Sequence, residues 1–325
     1  MIISFVIPTI AARESLFTLI NTLNNFSVPN SEILVVLQTS KRNNPHIIKK
    51  LQNHEGIKLI INQGTKSSGS NRNVGATLAT GQFLCFIDDD IFLDKSFLSA
   101  IENFSPNPNM IYFPEIKNTE SVPFPLGDHV GGRSFVSACF IISKTAFLSC
   151  GLFNEKLNIY REDSEFFIRA KRKGMILHIL ENAYVWHPVR YVNGNTLKSF
   201  FTKNMLEPLF HKLTSGNYEG VLKQHVFSTL PNKYGVSVVT YFIALSATIF
   251  WLLVLTGQVW IISILIFIYL VIAVLPTIFY IRKPTFFNSH LKLKSIPFIT
   301  IYLVILPEIF LARLLGSIIY RHFAV

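Results

Sequence analysis

The chain has 325 residues, half of them hydrophobic and only 15% charged, with a mean hydropathy of +0.39. Soluble domains carry about 25% charged residues, so this balance argues against a wholly soluble protein and equally against a disordered one. The formal net charge of +11 suits nucleic acid, anionic lipid or phosphorylated substrates alike and does not choose among them. Three cysteines, Cys85, Cys139 and Cys150, form neither a CxxC pair nor an even framework. That points away from a structural zinc site or a disulfide-stapled fold and toward a reducing compartment.

Met1 to Thr9 lacks a basic flank and its apolar run stops at Pro8, so it reads as a buried first strand and not as a signal peptide. From there strands and helices alternate. Ile2–Ile7 is a strand, and Arg13–Asn25 a helix with Leu16, Leu19, Ile20 and Leu23 at helical spacing. The pattern continues as strand Ile33–Leu37, helix Pro45–Asn53, strand Ile57–Ile61, helix Ser70–Thr80 and strand Phe83–Ile87. Strands that are apolar throughout and alternate with amphipathic helices predict a mainly parallel sheet covered on both faces, with ligands at the carboxyl ends of the strands.

The C-terminal third differs. Val236–Thr256 and Val259–Ile281 are free of formal charge, and each is long enough to cross a bilayer as a helix. Between Arg282 and Ser295 stand Arg282, Lys283, Lys292 and Lys294 with no acidic residue. The positive-inside rule makes that loop cytoplasmic, and with it the N-terminal 235 residues. A third apolar stretch, Ile296–Ile319, is interrupted by Pro297, Pro307, Glu308 and Arg313; it reads as a kinked span or a re-entrant segment, and spanning is the expectation. In a span, Glu308 would face the preceding hairpin and Arg313 would snorkel to the interface. The predicted organisation is therefore a catalytic domain at 1–195, an amphipathic interfacial linker at 196–235, and a transmembrane region at 236–320 with spans 236–256, 259–281 and 296–319. Within the linker, Leu197–Leu213 mixes Leu197, Phe200, Phe201, Leu206, Leu209 and Phe210 with Lys198, Lys203, His211 and Lys212, which suits an interfacial helix or a core helix equally.

Chemistry is expected in four places. Asp88, Asp89 and Asp90 follow the fourth strand, and adjacent carboxylates facing a cleft call for a counter-charge such as Mg²⁺ or Mn²⁺. In an extended chain Asp88 and Asp90 would project to one side and Asp89 to the other; the plainer alternative is a solvated acidic turn that caps the next helix. Upstream, Gln63–Gly75 is rich in glycine and serine and ends at a helix start, with Lys66 and Arg72 adding positive charge, as a diphosphate would require. At Tyr160–Arg169, Glu162, Asp163 and Glu165 crowd a helix N-terminus, either as ordinary dipole partners or as the source of a general base. His187 ends a short apolar run and is either structural or a metal ligand.

The order of these motifs resembles the inverting family 2 glycosyltransferases of GT-A fold over residues 1 to about 190. The resemblance is carried by Val6-Ile-Pro8-Thr9, by Arg72-Asn73-x-Gly75, by Phe86-Ile-Asp88-Asp89-Asp90 as the DxD-type motif, and by Gly151-Leu-Phe153-Asn-Glu155 ahead of Glu162-Asp163. It implies a Rossmann-like catalytic domain in which Pro8, Thr9, Lys66, Arg72, Asp88 and Asp89 bind the donor, Asp90 and His187 hold a divalent cation, and Asp163 is the catalytic base. The implied partners are a nucleoside-diphosphate sugar, a lipid-linked or glycan acceptor and membrane lipid, and not nucleic acid. The implied location is a membrane with the catalytic domain cytoplasmic, the inner membrane in a bacterium.

There are departures. The second strand ends Gln38-Thr39-Ser40, where the family commonly has an aspartate for the nucleotide base. The Gln-x-x-Arg-Trp motif of processive synthases is absent, as is the Asp-Leu-Gln-His-Pro pattern of dolichol-phosphate mannosyltransferase-like members. The expected function is transfer of a hexosyl or N-acetylhexosaminyl group to a sugar hydroxyl; the alternatives are a polyprenyl-phosphate glycosyltransferase and a non-catalytic nucleotide-sugar-binding membrane scaffold.

Overall fold

A computed structural model describes residues 2–11, 13–26, 31–39, 43–65, 67–102, 104–120, 127–128, 135–191, 194–214, 256 and 312–321. Lys66 lies outside them, as do the expected spans 236–256 (but for Thr256) and 259–281, and 296–319 up to residue 311. Among the described residues no helix is long and apolar enough to cross a membrane. The chain divides into two units, Met1–Val192 with Tyr218–Gln224, and Asn193–Asn217 with His225–Val325.

The first unit opens as the apolar pattern requires. Its elements are β1 (Ile3–Thr9), α1 (Ser15–Phe26), β2 (Glu32–Gln38), α2 (Pro45–Gln52), β3 (Lys58–Asn62), α3 (Ser68–Leu78) and β4 (Phe83–Ile87). β1 is buried along its whole length, and Leu16, Phe17, Leu19, Ile20 and Leu23 of α1 are buried in the core that also holds Ile3, Phe5 and Ile7 of β1. The sheet order β3-β2-β1-β4 is parallel throughout.

Beyond β4 the sheet departs from expectation. There follow β5 (Phe92–Leu93), α4 (Lys95–Glu102), β6 (Met110–Asn118), β7 (Gly127–Asp128), β8 (Cys139–Ser143), α5 (Lys144–Cys150), α6 (Glu162–Arg172), β9 (Ile176–His187) and β10 (Arg190–Tyr191). The full order is β3-β2-β1-β4-β8-β6-β9-β5, with β8 antiparallel to both β4 and β6 and β5 antiparallel to β9. The sheet is therefore mixed, not mainly parallel. β8 lies between β4 and β6 and runs antiparallel to both.

One sheet face is filled by phenylalanines. Phe86 of β4 stacks on Phe140 of β8 at 4.7 Å between ring centroids, and Phe140 meets Phe167 of α6 edge-on at 5.3 Å. Phe166 packs on Phe147 of α5 at 5.0 Å. Such pairs add about 0.5–1.5 kcal/mol each beyond area burial, and here they fix α6, and so its acidic N-terminus, against the strand that leads into Asp88. Cys85, Cys139 and Cys150 are all free and buried.

The Arg72-Asn73-x-Gly75 segment lies in α3 and binds it to its surroundings. Asn73 donates to the Phe153 carbonyl (3.0 Å) and accepts from the Phe153 amide (2.9 Å). At Gly75 a Cβ would lie 2.4 Å from Val6 Cγ1 and 3.0 Å from Val36 Cγ2, so the absent side chain lets α3 lie close on β1 and β2. Gly75→Ala is expected to lower stability by about 1–2 kcal/mol, because overpacking against two stiff valines outweighs the roughly 1 kcal/mol gained in helix propensity. A thermal unfolding midpoint equal to or above that of the parent chain would contradict this.

In the second unit, α7 spans Gly194–Thr214 and a further helix covers 312–319. Leu206, Leu209 and Phe210 of α7 are buried. The two helices touch: a Cβ on Gly316 would lie 2.2 Å from the Met205 carbonyl oxygen. Arg313 Nε donates to Asn204 Oδ1 at 3.2 Å. Arg313, expected to snorkel to the interface, thus has a polar partner on α7, while Glu308 lies outside the described residues.

Candidate active site

The acidic triplet is a turn and not an extended strand end. β4 stops at Ile87, and the Ile91 amide donates to the Asp88 carbonyl at 3.1 Å. The expected pairing of Asp88 with Asp90 is therefore corrected: the turn sends Asp88 one way and brings Asp89 and Asp90 together. Arg13 Nη1 sits between these two, 3.1 Å from Asp89 Oδ1 and 2.5 Å from Asp90 Oδ2. Thr9 donates its hydroxyl to Asp89 Oδ2 at 2.6 Å. Burial pushes the Asp89 carboxyl above its usual range, opposed by the Thr9 hydrogen bond and by Arg13 and reinforced by Asp90 and Asp88. Pro8, expected at the donor, is buried inside β1 beside Val36 of β2.

Asp90 is 2% exposed and His187, at the end of β9, 1%. His187 Nδ1 lies 2.7 Å from the Pro188 carbonyl, which can only accept, so that nitrogen carries the proton. In the neutral ring Nε2 is then a lone pair, and it faces Asp90 Oδ1 at 3.7 Å. Two buried acceptors directed at one another fit a divalent cation, or a proton on the ring. Asp90 and His187 thus form a two-donor set; among the described residues no cluster of three His, Cys, Asp or Glu side chains exists to make a closed cage. Sites with one or two protein ligands suit Mg²⁺ or Mn²⁺ that shares substrate phosphates.

Arg72 is not an open phosphate ligand. Only 1% exposed, it donates through Nη2 to Asp88 Oδ1 (2.5 Å) and to the Ser137 carbonyl (3.2 Å), and its Nη1 lies 3.8 Å from Glu162 Oε1. Its guanidinium holds the acidic turn and the start of α6 in one frame. Residues 137 and 138 complete that frame. The Asp88 amide donates to the Ala138 carbonyl at 2.9 Å, while the Ser137 amide donates to Asp163 Oδ2 at 3.2 Å. Asp88 and Asp163 are thus held by adjacent residues of one loop.

Asp163 is half-buried and its second oxygen accepts from the Ser164 amide at 2.6 Å. The carboxylates of the first turn of α6 face the positive end of the helix dipole. Glu165 is bound to Arg169 by two 2.8 Å bonds, and Arg169 also donates to the carbonyls of Cys150 and Leu152. That carboxylate serves the scaffold. Glu162 is different: burial, aided by the Asp163 charge and opposed by Arg72, pushes its carboxyl up to about 7.

The sign of the Glu162 effect can be tested. The folded chain keeps a proton on Glu162 that the unfolded chain gives up near pH 4.5, so stability falls as pH rises from there to about 7 and the loss is complete above it. In Glu162→Gln that loss disappears. Unfolding midpoints compared from about pH 4 to about pH 8 should show the variant gaining on the parent between those two values and a constant gap above them. A gap independent of pH would place the carboxyl at its ordinary value.

Reading the sequence missed Arg13 and Ser137 as members of this site. Arg13 had a faint signal, standing four positions after Thr9 in the loop that leaves β1; Ser137 had none.

An α/β domain with a mixed sheet and an acidic turn at a strand end has the architecture of the GT-A-like fold. Residues 4–150 match the family described as Glycosyl transferase family 2. The chain is similar to the amylovoran biosynthesis glycosyltransferase AmsB of Erwinia amylovora, 27% identical over 195 residues, covering 53% of this chain and 64% of the relative. It is also similar to the GalNAc(5)-diNAcBac-PP-undecaprenol beta-1,3-glucosyltransferase of Campylobacter jejuni, 30% identical over 101 residues, covering 30% of this chain and 33% of the relative. Among solved structures, S. aureus TarS 1–349 in complex with UDP-GlcNAc aligns with a TM-score of 0.46 at 19% identity, covering 66% of this chain and 70% of that one. The chain spans less than two thirds of the length of the two relatives named. The family match and these relatives support a glycosyltransferase domain in the N-terminal half.

Proposed function

We propose that the chain is a membrane-bound, inverting glycosyltransferase that moves a sugar from a nucleoside-diphosphate sugar to a hydroxyl of a lipid-linked or polysaccharide acceptor at the cytoplasmic face. The observation that carries this reading is the shared frame of Asp90 with His187 on one side and Asp163 on the other, joined through Asp88, Arg72 and residues 137–138. Displacement at an anomeric carbon needs both functions together: charge compensation for a leaving diphosphate and removal of a proton from the acceptor.

Asp90 Oδ1 and His187 Nε2 would hold the divalent cation. When bound, it supplies Lewis-acid stabilisation of the charge that develops on the leaving diphosphate. Asp89, with Thr9 on one oxygen, stands beside it to orient the donor. Asp163 takes the proton of the acceptor hydroxyl as that oxygen bonds to the anomeric carbon and the bond to the diphosphate oxygen breaks; one in-line displacement inverts the configuration. Ser137 and Ser164 hold the Asp163 oxygens, which fixes the direction from which the proton is taken.

The acceptor class is supported by the relatives, one of them the GalNAc(5)-diNAcBac-PP-undecaprenol beta-1,3-glucosyltransferase and another an amylovoran biosynthesis glycosyltransferase. The membrane location rests on the charge-free stretches at 236–256 and 259–281. The Arg313–Asn204 bond ties residue 313 to α7. The test is transfer of labelled sugar by membranes that contain the full-length protein to polyprenyl-diphosphate-linked saccharides, with the anomeric configuration of the product read by NMR. A product of inverted configuration supports the reading, and one with the donor's configuration retained overturns the single-displacement step.

A further inference from the structure

The acidic turn already contains a cation of its own. Arg13 Nη1 rests on Asp89 and Asp90, and Arg72 on Asp88. The two arginines differ in what remains. Arg72 is sealed in, with a side chain only 2% exposed, whereas the Arg13 side chain is 47% exposed. Among the described residues Arg13 makes its polar contacts through Nη1 alone, so Nε and Nη2 remain available to an incoming acceptor.

A donor diphosphate approaching this turn meets three carboxylates, of which the two guanidiniums compensate all but one unit of charge. Beside the divalent cation proposed at Asp90 and His187, positive charge facing outward favours the anion, and the planar arginine fork is suited to phosphate oxygens. We infer that Arg13 is a donor-binding residue: pinned by Nη1 to Asp89 and Asp90, it offers Nε and Nη2 to the diphosphate of the nucleotide sugar. This rests on the proposed glycosyltransferase reading. Pinning gives the contact its value, because a guanidinium already fixed by two carboxylates gives up little freedom on binding the phosphate.

The experiment uses the full-length protein with Mn²⁺, titrated with UDP, GDP, ADP, CDP and dTDP, and with the nucleoside matching whichever binds, measured by competition. The parent chain should bind at least one nucleoside diphosphate. Arg13→Gln should weaken that binding by about tenfold to a hundredfold, the range of a charge-assisted hydrogen bond, with nucleoside affinity unchanged; Arg13→Lys, which keeps the charge but loses the fork, should fall between. Equal losses for diphosphate and nucleoside would overturn the inference and make Arg13 a residue that merely positions the turn, and so would an unchanged diphosphate affinity in Arg13→Gln. Failure of the parent chain to bind any diphosphate would instead refute the glycosyltransferase reading beneath it. Bare Mn²⁺ binding and the unfolding midpoint of each variant exclude a collapsed turn, since loss of either would mean that only pinning had been removed.

Discussion

Asp163→Asn is expected to lower turnover by roughly 10²- to 10⁴-fold, the contribution typical of a positioned general base, while donor affinity stays close to that of the parent chain. Asn keeps the shape of the side chain and one oxygen to accept from the Ser137 amide, which now lies 3.2 Å from Asp163 Oδ2, but it cannot take a proton. Single-turnover rates and donor titrations separate the two effects. Weak donor binding with normal turnover at saturation would make Asp163 a binding residue and move the search for the base to Glu162, whose carboxyl ionises near pH 7.

Asp90→Ala should remove divalent-cation dependence and activity together. The carboxylate joins two partners, Arg13 on Oδ2 and His187 across from Oδ1, so its loss takes away one of two protein donors for the ion. With several kcal/mol of charge stabilisation at stake, turnover should fall by about 10³-fold or more. Titration of a nucleoside diphosphate with and without Mn²⁺ is the direct check, and metal-dependent binding that survives in the variant would contradict the assignment.

How much of this was legible in the sequence follows from what sequence patterns report. β1 to β4 are apolar runs between amphipathic helices, so their parallel direction and, within a residue or two, their boundaries were legible, while the order β3-β2-β1-β4 was not. β6 was not read as a strand because Pro114 interrupts it, and the structure accommodates that proline with a register shift between Phe113 and Glu115. β9 shows in the sequence only as the short apolar run before His187, since much of the strand is partly exposed. Without these strands and β8, the antiparallel half of the sheet could not be foreseen.

The candidate site divides along the same line. The residue types at Asp88, Asp90, Asp163 and His187 were readable because each stands at the end of a recognisable element. Their relations were not. Extended geometry paired Asp88 with Asp90, whereas the turn closed by the Ile91 amide pairs Asp89 with Asp90. Arg72 looked like a loop cation for phosphate, and its burial depends on Asp88 sixteen positions away and on Glu162 far along the chain, which no local pattern contains. The proton on Glu162 depends on the same burial.

Binding of nucleoside-diphosphate sugars to the purified full-length protein tests the central claim most directly. In a calorimetric titration across uridine, guanosine, adenosine, cytidine and thymidine diphosphate sugars, at least one is expected to bind in the presence of Mn²⁺, to lose that dependence in Asp90→Ala, and to keep its affinity in Asp163→Asn. Binding by none of them to the parent chain, or binding indifferent to both Mn²⁺ and Asp90, would contradict the account.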